Sequence, residues 1–183
     1  RRSIAPAMDE HVWLSLKKAQ TICDAITDAL VKLDAGNADA YRDNCKSYQE
    51  KLAELDGKYA EAIKSADYDV LLFGDRFPFR YLMDDYGLKY YAAFVGCSAE
   101  TEAKFETIKF LAQKLDELKL PAILTLEGTD HRIAETVRDN TGAKDQKILS
   151  MNSLQSVTSK DVKDGVTYLS VMENNLTVLR EAL

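Results

Sequence analysis

Four short apolar runs constrain what this chain can fold into. They are Val70–Phe73, Tyr90–Val95, Ala122–Leu126 and Ile148–Met151. Each is strand-length and passes into a loop carrying glycine or polar residues. Continuous apolar runs of this kind read as strands buried on both faces. Amphipathic stretches alternate with them. Pro78 favours the start of a helix over Phe79–Tyr86, which Gly87 ends. Phe105, Ile108, Leu111, Ala112, Leu115 and Leu118 form a helical stripe. Asp130 caps a helix carrying Ile133, Ala134 and Val137 that stops near Gly142, and Val166, Leu169, Met172, Leu176 and Leu179 mark a terminal helix. Strands alternating with helices predict an α/β fold with a parallel sheet.

The chain ahead of these runs is different. Leu16, Ala19, Ile22, Cys23, Ile26, Ala29, Leu30 and Leu33 recur at steps of three and four, which lays one apolar stripe along a helix. Ser15 is placed to cap it. His11 therefore stands just outside the helix, on a short lead-in held by Trp13, and is expected to point out of the scaffold. Asp34-Ala35-Gly36-Asn37 reads as a turn, with Asn37 capping a second helix that runs to about Ser65. Tyr41, Cys45, Tyr48, Leu52, Leu55, Tyr59 and Ala62 make a heptad-like seam on it. The simpler reading is an antiparallel hairpin; a separate coiled-coil partner is the other. Gly57 is expected to bend this helix or end an early turn. The whole predicts a single domain, residues 1–183. A helical hairpin (1–66) precedes a four-stranded parallel sheet flanked by helices (67–183).

Composition removes several functions. The 183 residues carry a formal charge of -6, a poor match to nucleic acid, which draws clustered Lys and Arg. No apolar run approaches the ~20 residues of a membrane span. No signal peptide is visible, and Arg1–Met8 does not read as a natural start. Cys23, Cys45 and Cys97 show no CxxC spacing. Cys23 and Cys45 lie level across the expected hairpin. Helices packed at ~8–10 Å sit wider apart than disulfide Cα atoms at ~4.4–6.8 Å, so buried free thiols are favoured over a bridge.

Ligands in open parallel sheets bind beyond the carboxyl ends of the strands. The candidate rim is Gly74, Asp75 and Arg76; Gly96, Cys97 and Ser98; Glu127, Gly128 and Thr129; Asn152 and Ser153. Taken singly, each also reads as a solvated loop residue: Asp75 with Arg76 as a local ion pair, Glu127 as a cap. The chain has no GxSxG, GxGxxG or GxxxxGK[ST] motif. Of the two histidines, His131 beside Asp130 and Arg132 is expected to face solvent. His11, ahead of a helix and next to a tryptophan, is either structural or a metal ligand.

The order of motifs adds more. Asp9-Glu10-His11-Val12-Trp13-Leu14 resembles the Asp-x-His-x-Trp signature of the zinc and manganese substrate-binding lipoproteins of bacterial ABC importers. Asn37-Ala38-Asp39-Ala40-Tyr41, Leu52-Ala53-Glu54-Leu55-Asp56, Tyr81-Leu82 through Tyr86-Gly87-Leu88, Ala134-Glu135-Thr136 and Thr141-Gly142-Ala143 are similar to that family in the same order. Glu127 stands where the family often reads Glu-Pro-Gln. Tyr168 to Leu176 resembles its closing Tyr-x-x-x-Met-x-x-Asn-Leu. The resemblance runs from Asp9 to Leu183.

It implies the bridging helix and C-terminal lobe of a two-lobe, lipid-anchored or periplasmic receptor, without the N-terminal lobe. Such a receptor hands Zn2+ or Mn2+ to a membrane permease and is not an enzyme. His11, Asp75, Glu127 and Asn152 are the implied metal-site residues. Asp75 stands where the family places a histidine, and Asn152 where it places an aspartate. Oxygen in place of nitrogen shifts preference towards harder ions such as manganese. The bare side of the long helix makes a homodimer of this chain an expected partner state. One alternative is a related receptor or adhesin-like surface protein that has lost the metal. A remote one is an α/β enzyme using Asp75, Arg76 and Glu127.

Overall fold

A computed structural model describes residues 9–94 and 102–183. Seven α-helices and four strands lie within them. Helices α1 (Leu16–Leu33) and α2 (Ala38–Lys64) form the antiparallel hairpin. Then follow β1 (Val70–Phe73), α3 (Arg80–Tyr86), β2 (Lys89–Ala92), α4 (Phe105–Leu118), β3 (Ala122–Leu126), α5 (Arg132–Asp139), β4 (Lys147–Met151), α6 (Ser159–Lys163) and α7 (Tyr168–Ala182). The sheet is entirely parallel, in the order β2-β1-β3-β4. The fold matches the α/β expectation. Val95, Gly96, Cys97 and Ser98 lie outside the described residues.

Two apolar clusters cover the two faces of the sheet. One joins Leu71, Phe73, Leu124 and Leu126 to Leu14 and Leu16, to Leu52, Leu55 and Tyr59 of α2, and to Met172, Leu176 and Leu179 of α7. The other joins Leu72 and Ile123 to Ile108, Leu111 and Leu115 of α4 and to Ala134 and Val137 of α5. Alternate strand residues therefore serve opposite layers. Tyr59, fully buried, donates its hydroxyl to the Met172 carbonyl at 2.6 Å. Burial holds its phenol well above the ordinary tyrosine range.

The hairpin is buried unevenly. Of the α1 stripe only Leu16 and Ala19 are buried, while Ile26, Leu30 and Leu33 are 54%, 39% and 86% exposed. The seam of α2 is fully buried at Leu52, Leu55 and Tyr59 and only half-buried at Tyr41, Cys45 and Tyr48. The root of the hairpin packs on the lobe and its tip stands clear.

Several local expectations are corrected. Helix α2 continues through Gly57 rather than ending a turn there, and nothing lies near the missing side chain. Asn37 does not cap α2 with its side chain; its amide donates to Asp34 Oδ2 at 2.7 Å and braces the turn. His131, with φ 57°, takes the N-cap position of α5, and Asp130 accepts from the Arg132 N–H one step away. The short α6, missed by apolar periodicity, is held by a Thr158–Asp161 capping box. Cys23 and Cys45 are free thiols.

Gly74, where β1 leaves the sheet, sets the approach of α5. A Cβ there would lie 2.7 Å from Ala134 Cα and 2.8 Å from Ala134 Cβ. Backbone cannot yield as a side chain tip does. Gly74→Ala is therefore expected to destabilise the fold by about 1–3 kcal/mol, read as a lowered urea midpoint. Gly57→Ala in exposed helix is expected to raise it.

Candidate metal-binding site

His11 begins a one-turn 3-10 helix, Val12–Leu14, that delivers the chain into α1. Its backbone N–H and its ring Nδ1 both meet Asp9 Oδ1, at 2.9 and 2.7 Å. A carboxylate on Nδ1 keeps the proton on that nitrogen and the lone pair on Nε2. That is the tautomer and the outer partner a metal-binding histidine uses. The ring is 2% exposed. The expectation that it points out of the scaffold is thus corrected: Asp9 and the turn fold it inward, beside the Trp13 ring at 5.3 Å.

The turn is tied to distant parts of the chain. Tyr81 donates to the Asp9 carbonyl at 2.9 Å, Trp13 Nε1 to the Ser153 carbonyl at 3.0 Å, and Tyr168 to the Trp13 carbonyl at 2.6 Å. Ser15 caps α1 as expected, accepting from the Lys18 N–H, and also donates to Asp85 Oδ2 at 2.6 Å. The apolar anchors are Leu14 and Leu16, both fully buried. Burial holds the Tyr168 phenol above its ordinary range, so it remains a donor at neutral pH.

The other predicted residues fall into two places. Asp75 is 8% exposed. Its Oδ2 accepts the Leu126 N–H at 3.1 Å and its Oδ1 accepts the Arg76 N–H at 2.8 Å. The side chain thus supplies an acceptor to β3 where β1 has ended. It borders a cavity of about 210 Å³ with Gly74, Arg76, Phe94 and residues 129–133. Glu127 and Asn152 lie instead in the loops after β3 and β4, and Ser153 joins Glu127 to the His11 turn. Glu127 accepts from Ser153, and Asn152 exchanges backbone hydrogen bonds with the Asn175 amide at 2.8 Å each way. The Asn152 amide oxygen accepts the Leu154 N–H, also at 2.8 Å.

No cluster unites His11 with Asp75 and Glu127 among the described residues. There, the group of three His, Cys, Asp or Glu side chains with ligand atoms within 4.8 Å of one another is Asp9, Glu10 and His11. His131 is half-buried rather than solvent-facing, and its Nδ1 is buried with no hydrogen-bond partner. Sequence reasoning missed Asp9, Tyr81, Ser153 and Tyr168 as supports. Only Asp9 carried a signal, its i−2 spacing from His11. Asp9→Ala removes both bonds that orient the ring. Proton-detected nitrogen NMR of the imidazole is expected to show a single Nδ1–H tautomer in the parent and a mixture in the variant.

Comparison with known proteins places the chain as a whole. The family described as zinc-uptake complex component A, periplasmic, matches residues 3–182. The zinc-binding lipoprotein AdcA of Streptococcus pneumoniae is 32% identical over 94% of this chain and 34% of its own length. The high-affinity zinc uptake system protein ZnuA of Bacillus subtilis is 31% identical over 97% of this chain and 54% of its own. The chain thus spans about half or less of the length of these relatives. Among solved structures, the Zn(II)-bound ZnuA-like domain of S. pneumoniae AdcA is similar with a TM-score of 0.78 at 32% identity. It covers 97% of this chain and 65% of that one. The metal-dependent lipoprotein YcdH of B. subtilis gives a TM-score of 0.82 at 30% identity, with the same coverage.

Proposed function

The chain belongs to the zinc-uptake complex component A family, and we propose that it is the bridging hairpin and C-terminal lobe of a receptor that captures a divalent metal ion and hands it to a membrane permease. The observation that carries this reading is the buried His11 with its Nδ1 on Asp9. A purely packing histidine needs no carboxylate on one nitrogen and no turn pinned from three directions. In this reading His11 Nε2 is a direct ligand. Asp75 is not clustered with it among the described residues and accepts from the Leu126 and Arg76 N–H groups; it becomes the anionic ligand only if the loop after β1 brings it to the ion. Glu127 and Asn152 support the site from the loops after β3 and β4, through Ser153 and Asn175. The receptor acts outside the cytoplasmic membrane, lipid-anchored or periplasmic, as the names of its relatives suggest for them.

Zinc is the leading cargo, because the relatives are zinc-binding proteins by name. Manganese is the competitor, because Asp75 and Asn152 offer oxygen. Zinc generally takes about four ligands, and this lobe offers His11, Asp75 and supporting oxygens. A second lobe completes the site. The unequal burial of α1 fits that arrangement: the stripe at Ile26, Leu30 and Leu33 is a face for the rest of the receptor.

The test is a competitive Zn2+ and Mn2+ titration of this chain and of the two-lobe protein. Tight binding is expected in the two-lobe protein and a loss of at least about tenfold with His11→Ala. Binding that survives His11→Ala would remove His11 from the site. Without a second lobe the bare stripe is expected to drive self-association. Sedimentation should show a dimer that Leu30→Lys returns to monomer; a parent chain that stays monomeric at high concentration counts against it.

A further inference from the structure

We propose that Glu127 is a positioning residue for His11, acting through Ser153 and Trp13 rather than on the ion itself. The inference deepens the receptor reading and rests on it. Glu127 follows β3 and is half-buried. Its Oε2 accepts the Ser153 backbone N–H at 2.9 Å and its Oε1 accepts the Ser153 hydroxyl at 2.7 Å. Ser153 is 3% exposed, and its carbonyl accepts the Trp13 indole N–H at 3.0 Å. Ser153 thus links the end of β3 to the turn that holds His11. The indole stands 5.3 Å from the imidazole, so its position bears on how the imidazole is packed.

The backbone shows why a carboxylate is needed. Leu154 has φ 62°, a left-handed conformation that crowds the Cβ of a leucine against the backbone. A flip of the peptide between Ser153 and Leu154 would relieve that strain. The same flip would turn the Ser153 carbonyl away from Trp13. Glu127 acts on the neighbouring atoms: it fixes the preceding peptide through the Ser153 N–H and the side chain through the hydroxyl, and so holds the residue about which the flip would turn. Asn152 opposes it by accepting the Leu154 N–H at 2.8 Å. Ionised, Glu127 is acceptor-only and receives two charge-assisted hydrogen bonds. A carboxamide can accept from only one of the two; its NH2 meets the hydroxyl with the direction reversed, and both contacts lose their charge assistance. Both Glu127 oxygens are thus engaged by Ser153, which assigns the side chain to the relay in this proposal.

The experiment compares Glu127→Gln, Ser153→Ala and the double variant. Emission of Trp13, the one tryptophan, is read in the metal-free 183-residue chain. Zinc affinity and the Co2+ absorption bands are read in the two-lobe protein. The expected result is a red-shifted Trp13 emission in Glu127→Gln and a zinc affinity lowered roughly 10–100-fold. The Co2+ bands should keep their positions, because the ligand set is unchanged. The double variant should match Glu127→Gln within about twofold, since both changes break one relay. Shifted Co2+ bands in Glu127→Gln with parental bands in Ser153→Ala would make Glu127 a ligand and overturn the proposal. Unchanged emission with unchanged affinity would overturn it too. A parent protein that binds neither ion would fail the receptor reading itself, and the proposal with it. Thermal unfolding monitors folding; if Glu127→Gln does not fold, Ser153→Ala, which deletes a single hydroxyl, carries the same comparison.

Discussion

The bond from the Trp13 indole to the Ser153 carbonyl joins residues 140 positions apart, and much of the molecule is arranged so that it can form. It requires β4 to lie beside β3, so that the loops after them emerge together. It requires α7 to pack beneath, since Tyr168 holds the Trp13 carbonyl and Asn175 holds Asn152. It also requires Leu14 and Leu16 to be seated in the core, because a turn anchored only by polar contacts would fray. Hydrophobic burial provides the driving force, and the directional bonds select one orientation of the turn.

The same economy explains the hairpin. One continuous apolar stripe on α1 is treated in two ways. Its first turns are core, and its later turns are bare. Nothing in the helix changes between them; only the neighbour does. An exposed stripe of this kind calls for a covering surface. The free thiols of Cys23 and Cys45 fall near the middle of the hairpin, between its seated root and its bare tip.

Most of the fold was legible in the residues. Val70–Phe73 and Ala122–Leu126 have the predicted bounds, and α1 ends at Leu33. These elements were readable because their signal is local: period, length, and the glycine or polar residue that stops them. The errors were local signals overridden by neighbours. Asn37 found a better partner in Asp34 than in the helix N-terminus. Gly57 cost too little to interrupt a helix as long as Ala38–Lys64. At the candidate site, the sequence could name His11, Asp75, Glu127 and Asn152 as candidates but not the partners each would find. A carboxylate written in a chain does not say which N–H it will accept.

By itself the sequence determined the alternation of strands and helices, the hairpin, and the presence of a histidine between Asp9 and Trp13. These follow from periodicity and spacing, which act over a few residues. The tertiary structure alone decided that His11 is buried, that Asp75 serves β3, and that Glu127 engages Ser153. The physical reason is that hydrogen-bond acceptors are satisfied by whatever donor the packed fold brings within about 3 Å. Which donor that is depends on sheet order and helix seating, quantities spread over the whole chain.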